Sequence, residues 1–356
     1  MIETTLFILV AAPEDDERFM RAALHEARKG VGKTSPNPAV GAVLVFRNRV
    51  IARGYHRAAG KPHAEIECLS RVRGTIPTGA VLYLTLEPCS SAGRTGACTD
   101  SIIRSGINSV VIGAIDVNPR HAGRGLALMQ KAGIKVRSGI LEKECTSLNE
   151  AFNKWIVTGR PWVVAKCGMS LDGRISRPPG ESRWITSVAA RRHVHRLRAE
   201  IDAILIGAET LRADDPQLTV RGVAGARQPF RVILTRSGRL PKGARVFRDR
   251  FKERTLVYKK RSLSWVLADL GKRSITSVLI EGGGEILGQA LDNALIDKMQ
   301  IYVGPVLTGG PVSAFAGKGA SSTLGAARLE NVSYSNLGGS ICVSGYPRFP
   351  ISAIRE

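Results

Sequence analysis

Residues 62–98 read PHAEIECLSRVRGTIPTGAVLYLTLEPCSSAGRTGAC, and this stretch decides the fold of the first half of the chain. Pro62-His63-Ala64-Glu65 heads a helical pattern over residues 64–72. A continuous apolar strand over 80–86 then ends in Glu87-Pro88-Cys89, and Cys98 opens the next helix. One imidazole and two thiolates fill three positions of a tetrahedral zinc ion and leave the fourth open, which is the arrangement of catalytic zinc. A carboxylate two residues beyond the histidine lies beside the metal without ligating it. There it suits proton transfer from water to a ring nitrogen and a leaving amine. The pattern implies hydrolytic deamination, with His63, Cys89 and Cys98 holding one Zn²⁺ per chain and Glu65 as proton shuttle. His-x-Glu alone is a weak signal; the joint pattern is a strong one. Cytosine and adenine deaminases space their cysteines by two residues, whereas eight separate them here, Ser90 to Ala97.

Around this stretch both halves alternate short β-branched runs with helical patterns, the sign of α/β layers. In the first half the spacing predicts a helix over 15–29 and a hairpin of strands 40–46 and 50–54. After the cysteine segment it predicts helix 100–105, strand 109–114, helix 126–132, strand 135–139 and one helix over 141–156. Thr158-Gly159-Arg160-Pro161 is the best boundary, because proline removes a donor and pushes the preceding residue out of helix. The second half restarts with strand 162–167, helix 188–198 and strand 203–207. Strands 230–234 and 255–258, helix 264–270 and strand 277–280 follow. Gly282-Gly283-Gly284 then opens a helix to Asn293, and strand 298–303 comes next. The expected domains are a loose tail (1–13), a zinc-dependent deaminase domain (14–157) and a second α/β domain (158–356). The apolar run Leu6 to Ala12 follows Glu3 without a basic leader, so it reads poorly as a signal peptide.

A chain of 356 residues, 44% hydrophobic and 23% charged, is long enough for two globular cores. No stretch approaches a membrane span. Six cysteines are few for this length, which argues against a disulfide framework and for a reducing cytoplasm. The net charge of +22 divides into +7 up to residue 157 and +15 beyond, with 13 Lys or Arg between Arg227 and Arg261. Aromatics for base stacking are sparse there. A surface that attracts phosphorylated small molecules is therefore favoured over a nucleic-acid face.

Several segments resemble the bifunctional deaminase/reductase of riboflavin biosynthesis. They are Ser35-Pro36-Asn37-Pro38-Ala39-Val40-Gly41, Gly54-Tyr55-His56, Gly60 to Glu65, Thr85 to Cys89, Gly93-Arg94-Thr95, Asn118-Pro119 and Ala122-Gly123-Arg124-Gly125. The eight-residue gap between cysteines is itself a feature of that family. In the second half, Lys166 to Gly173, Gly180 to Thr186, Asp214 to Arg221 and Glu281 to Gly284 match its reductase domain. The resemblance implies an N-terminal cytidine-deaminase-like three-layer α/β/α domain with zinc and a C-terminal dihydrofolate-reductase-like α/β domain using NADPH. The implied substrate is 2,5-diamino-6-(5-phosphoribosylamino)pyrimidin-4(3H)-one, deaminated and then reduced from ribosyl to ribityl.

By the resemblance, Asn37 and His56 contact the pyrimidine and Arg94 the phosphate. Lys166, Ser182, Arg198, Leu218, Arg221 and Glu281 line the ribose-phosphate site. Gly168, Trp184, Thr210 and Asp214 bind the cofactor, together with the turn Gly283, Gly284, Glu285, Ile286, Leu287, Gly288 and Gln289. Lys166 or a water supplies the proton of the reduction. The family usually has His two residues after its first cysteine and Pro-Pro before its second; Ser91 and Gly96-Ala97 stand here instead. The resemblance also implies a homo-oligomer. The competing readings are a paralogue with one activity and a nucleic-acid base deaminase with a basic domain. His25, His121, His193 and His195 lack metal-ligand spacing and are expected at the surface; Cys68, Cys145, Cys167 and Cys342 are expected in cores.

Overall fold

The computed structural model describes residues 13–91, 96–175 and 184–350. Chain contacts divide it into two compact units, Met1–Thr158 and Gly159–Glu356. The tail expected over 1–13 falls almost wholly outside the described residues, as do Arg94 and Ser182.

In the first unit α1 (Pro13–Arg28) precedes the hairpin β1 (Gly41–Phe46) and β2 (Arg49–Tyr55). Arg47 and Asn48 both take positive φ, 45° and 62°, which matches the twist of a two-residue hairpin turn. Then come α2 (Ala64–Leu69), β3 (Val81–Leu86), α3 (Cys98–Arg104), β4 (Ser109–Ala114), α4 (Arg124–Lys131) and β5 (Lys135–Ser138). The sheet order is β2-β1-β3-β4-β5, with β3, β4 and β5 parallel and β1 antiparallel to both neighbours. Strand residues alternate between two cores. Val43, Val45, Tyr83 and Val111 pack on Phe19, Met20 and Leu24 of α1. Ala42, Leu44, Leu82, Leu84 and Ile112 pack on Ala64, Cys68, Ile102 and Met129 of the opposite layer. Burial on both faces explains the continuous apolar runs of β3 and β4.

The single helix expected over 141–156 is instead two, α5 (Glu142–Ser147) and α6 (Glu150–Thr158). Between them Asn149 is buried, accepting from Ala39 N at 2.8 Å and donating to Ala39 O at 3.0 Å. An asparagine amide that mimics a backbone partner competes with helix continuation, and here it pins the 35–41 segment.

The second unit contains β6 (Trp162–Met169), α7 (Val188–Glu200), β7 (Ala203–Gly207), α8 (Ala208–Asp214), β8 (Phe230–Thr235) and α9 (Arg245–Arg248). It continues with β9 (Thr255–Lys259), α10 (Leu263–Lys272), β10 (Ser277–Ile280), α11 (Gly284–Asp292), β11 (Lys298–Val303), β12 (Arg328–Leu337) and β13 (Ser340–Arg348). The sheet order is β12-β13-β11-β6-β10-β7-β8-β9, parallel from β11 to β9 and antiparallel in the last hairpin. Val163, Leu205, Val232 and Ile280 pack on Val266, Leu267, Leu270 and Leu287. The other face carries Val164, Ile204, Ile206 and Ile233 against Leu211 and Val246. No helix among the described residues is long and apolar enough to cross a membrane.

Candidate functional site

The first unit places its chemistry where α2 and α3 begin. His63 is the extended residue before α2, with φ −71° and ψ 165°, and Glu65 lies in the first turn, 3% exposed. Gly54 of β2 lets that helix close on the sheet: a Cβ there would lie 2.4 Å from Ala64 O and from Cys68 N. Cys89 follows the end of β3, and Cys98 is the first residue of α3. Cys98 Sγ is 3.2 Å and Cys89 Sγ 3.8 Å from His63 Nδ1, and the Cys98 amide donates to Cys89 Sγ at 3.4 Å. The three donor atoms lie within 4.8 Å of one another, the geometry of ligands converging on one ion at about 2.0–2.3 Å each. Glu65 Oε2 is buried without a hydrogen-bond partner, as a carboxylate reserved for a ligand would be. Burial pushes the Glu65 carboxyl up to about 7. The hydrogen bond between the thiols holds Cys89 down and Cys98 up. The residues fit a catalytic zinc.

Asn37 and His56 meet beside these ligands. Asn37 Nδ2 lies 3.2 Å from His56 Nε2, and His56 Nδ1 lies 3.0 Å from Pro62 O. A carbonyl only accepts, so Nδ1 carries the proton and Nε2 accepts from Asn37. The His56 ring meets His63 edge-on, with centroids 5.1 Å apart. Burial lowers the His56 pKa, which keeps the ring in this neutral role.

Sequence reasoning missed Glu87. Its carboxylate is buried and accepts from Gly125 N at 2.8 Å, Gly123 N at 2.9 Å and Asp116 N at 3.1 Å. It thereby ties the 116–125 loop to the strand end that presents Cys89. A charged residue closing an apolar strand was the available signal. His121 was expected at the surface; instead it is half-buried, with Nδ1 3.2 Å from Ser90 Oγ. His25 is exposed as expected, and Cys68, Cys145, Cys167 and Cys342 are all buried.

The second unit holds a cavity of about 1320 Å³ at the C-terminal ends of its parallel strands. This is where open α/β sheets bind ligands. Lys166 and Gly168 of β6, Arg198 of α7, Leu218, Arg221 and Glu281 all line it. Arg198 grips Glu281 with two bonds, Nε to Oε1 at 2.5 Å and Nη2 to Oε2 at 2.8 Å, while Lys166 Nζ stands 3.6 Å from Oε2. Burial alone would raise the Glu281 pKa, but the charges of Arg198 and Lys166 overcome it and hold the carboxyl at about 2.

Trp184 and Asp214 also line the cavity, Trp184 with the Arg191 guanidinium 4.5 Å above its ring. Thr210 lines it too, but its hydroxyl accepts from Gly283 N at 2.8 Å and braces the glycine turn. Gly283, Gly284, Glu285, Ile286, Leu287 and Gln289 are at the wall. Gly288 is not: it packs beneath, where a Cβ would come 2.5 Å from Gly317 N. The glycine-rich first turn of a nine-residue helix at the cavity wall suits an anionic, phosphate-bearing cofactor. Part of the basic excess is engaged inside the unit or faces the cavity. Arg231 is buried on Asp249, Thr255 and Val246 O, and Arg245 pairs with Asp215, while Arg236, Lys260 and Arg261 line the cavity. His193 and His195 are not simple surface groups either. His193 Nδ1 lies 2.8 Å from the buried Tyr302 hydroxyl, and His195 lines the cavity.

Comparison with known proteins matches residues 13–114 to the cytidine and deoxycytidylate deaminase zinc-binding region and residues 161–343 to the RibD C-terminal domain. The chain is 39% identical over 316 residues to the riboflavin biosynthesis protein RibD of Aquifex aeolicus, covering 83% of this chain and 88% of that one. With RibD of Bacillus amyloliquefaciens it shares 35% over 359 residues, 94% and 96% of the two chains. Among solved structures, Acinetobacter baumannii RibD superposes with a TM-score of 0.86 at 35% identity, over 95% of this chain and 100% of that one. A Thermotoga maritima diaminohydroxyphosphoribosylaminopyrimidine deaminase/5-amino-6-(5-phosphoribosylamino)uracil reductase superposes with a TM-score of 0.87 at 36% identity, over 94% and 99%.

Proposed function

Because the chain belongs to the RibD family, we infer that it is a bifunctional enzyme of riboflavin biosynthesis, with its deaminase in residues 14–157 and its reductase in residues 158–356. The first reaction is hydrolytic deamination of 2,5-diamino-6-(5-phosphoribosylamino)pyrimidin-4(3H)-one; the second is NADPH-dependent reduction of the ribosyl group to ribityl. The observation that carries this reading is that one chain holds both constellations: the ligand triad with Glu65 beside it, and the Lys166–Arg198–Glu281 cluster at the wall of a large cavity.

His63, Cys89 and Cys98 hold the zinc, whose Lewis acidity makes water a competent nucleophile at neutral pH. Glu65 takes the two protons of the attacking water in turn and passes one to the ring nitrogen and the other to the departing amine, so that ammonia leaves and a carbonyl replaces it. Asn37, oriented by His56, presents its amide to the pyrimidine, and Arg94 takes the phosphate. In the reductase, Lys166, Ser182, Arg198, Leu218, Arg221 and Glu281 surround the sugar phosphate. Gly168, Trp184, Thr210, Asp214 and the turn residues Gly283 to Leu287 and Gln289 hold NADPH, which supplies the hydride, with Gly288 packed beneath them. Glu281 fixes Arg198 and Lys166 in place, and the Lys166 ammonium is the group placed to protonate the oxygen of the reduced carbonyl.

The two activities are expected to separate under metal removal. Chelation of the purified chain should abolish ammonia release while leaving NADPH oxidation on the already deaminated substrate within about twofold, since only one site uses the metal. Ammonia release that persists with zinc below detection would defeat the metal assignment. NADPH oxidation lost together with the zinc would defeat the division of labour. The same measurement tests the altered loop at Ser91 and Gly96-Ala97, because a zinc-replete chain that releases no ammonia is a reductase only.

A homo-oligomer is supported by the outer strand of the second sheet. Among the described residues β12 pairs only with β13, and it exposes Val332 and Tyr334 on a ten-residue edge. Such edges are covered in most proteins. Sedimentation of the chain as a monomer at micromolar concentration would refute this. The six free cysteines, four of them in cores, support a cytoplasmic location. Recovery of the native chain from an oxidising compartment would count against it.

A further inference from the structure

The reductase cavity contains a ring that neither reaction has used. His195 lies one turn before Arg198 on α7, half-buried and lining the cavity. Its Nδ1 accepts the backbone N–H of Arg221 at 3.2 Å. A main-chain N–H only donates, so Nδ1 is unprotonated and the neutral ring carries its proton on Nε2. The charged groups facing it come from four segments: Arg198 on its own helix, Arg221 on the loop after α8, Glu281 after β10 and Lys166 on β6. Burial first, then three cations against one carboxylate, push the imidazole down to about 4, so it is uncharged at neutral pH.

Its cationic neighbours are partly committed. Arg198 spends Nε and Nη2 on Glu281 and Nη1 on Thr219 O. Arg221 uses Nη1 on Gln217 Oε1 at 2.7 Å, a neutral partner that leaves its charge uncompensated. An anion entering this corner therefore meets one available positive charge and one directional, uncharged N–H.

We propose that His195 is a further substrate-binding residue of the reductase, its Nε2–H donating to an oxygen of the sugar phosphate while the Arg221 amide holds the ring in that tautomer. The assignment rests on the sugar-phosphate reading of this cavity given above. An uncharged donor adds direction to the anion site without adding another cation to the cluster around Glu281.

Titration calorimetry of the full-length protein tests it, with ribose 5-phosphate as probe and with sulfate as an anion whose charge is constant across the pH range used. His195→Leu should weaken ribose 5-phosphate roughly 10- to 100-fold, the loss of one hydrogen bond to a charged group. His195→Gln, whose amide nitrogen is again a neutral donor, should recover most of that loss. NADP⁺ binding should be unchanged in both and reports that the cavity is intact. Wild-type sulfate affinity should stay flat between about pH 8 and 5.5, whereas a histidine with an ordinary pKa would strengthen it through about 6.5.

Unaltered ribose 5-phosphate affinity in His195→Leu overturns the proposal. So does a rise in sulfate affinity with a midpoint near 6.5 that disappears in His195→Gln. Arg221→Gln separates the two levels of the inference. If it weakens ribose 5-phosphate and His195→Leu does not, His195 alone is wrongly assigned. If neither matters, the sugar-phosphate reading of the cavity fails and takes His195 with it.

Discussion

Glu65→Gln is expected to retain zinc and to release ammonia roughly 100- to 10,000-fold more slowly than the wild-type chain, the range over which a positioned general acid–base acts. Zinc should stay because the converging donors are His63 Nδ1, Cys89 Sγ and Cys98 Sγ, not the carboxylate. The rate should fall because no second carboxylate replaces Glu65: Glu87 is spent on three backbone amides. Glutamine keeps the shape of a side chain that is 3% exposed, so folding is little disturbed, and NADPH oxidation on the deaminated substrate serves as the internal control. Zinc counted by elemental analysis beside an ammonia assay decides the matter. Equal ammonia release from the variant would remove Glu65 from the mechanism, and loss of the metal would make it a ligand-site residue instead.

The second large effect is expected from Glu281→Gln. The wild-type carboxylate, its side chain 6% exposed, lies between Arg198 and Lys166, and the neutral amide leaves both cations without their counter-charge. Breaking a buried ion pair from one side costs about 3–5 kcal/mol, which should lower the melting temperature of the reductase unit by roughly 10 °C. Reduction should fall about 100-fold or more, because Lys166 and Arg198 both lose the group that positions them. The sign of the pH dependence follows from the depressed carboxyl. A folded-state value of about 2 lies below the unfolded carboxyl value near 4.5. The ionised group therefore stabilises the fold fully above pH 4.5, and that contribution is lost as pH falls toward 2. Thermal melts between these limits should converge for wild type and Glu281→Gln. A variant that melts like the wild type at pH 7 and reduces substrate at the wild-type rate would contradict the clamp.

Much of this was legible before any coordinates. The candidate ligands His63, Cys89 and Cys98, with Glu65, lie at helix starts and a strand end that the spacing of 62–98 marks locally. The alternation of β-branched runs with helical patterns places both layered units. What was misread has a physical cause in each case. The run 141–156 has helical periodicity throughout, yet Asn149 spends its amide on Ala39, 110 residues earlier, and the helix breaks there. Strand β12 escaped notice because most of it is exposed and its sequence carries no buried face. Gly288, assigned to the cofactor turn by the resemblance, does not reach the cavity wall, because its missing Cβ makes room for Ala316 and Gly317.

By itself, then, the sequence determined the zinc chemistry, because ligand identity and the short His-x-Glu spacing are local properties that survive without knowledge of distant contacts. Only the tertiary structure decided the state of the groups around that chemistry. Glu87 finds its amides 29 to 38 residues away, Arg198 finds Glu281 at 83 and His195 finds the Arg221 amide at 26. Contacts of that range leave no periodicity in the chain. They set which nitrogen holds a proton and which carboxylate stays ionised, because both depend on burial and on charges that folding alone brings together.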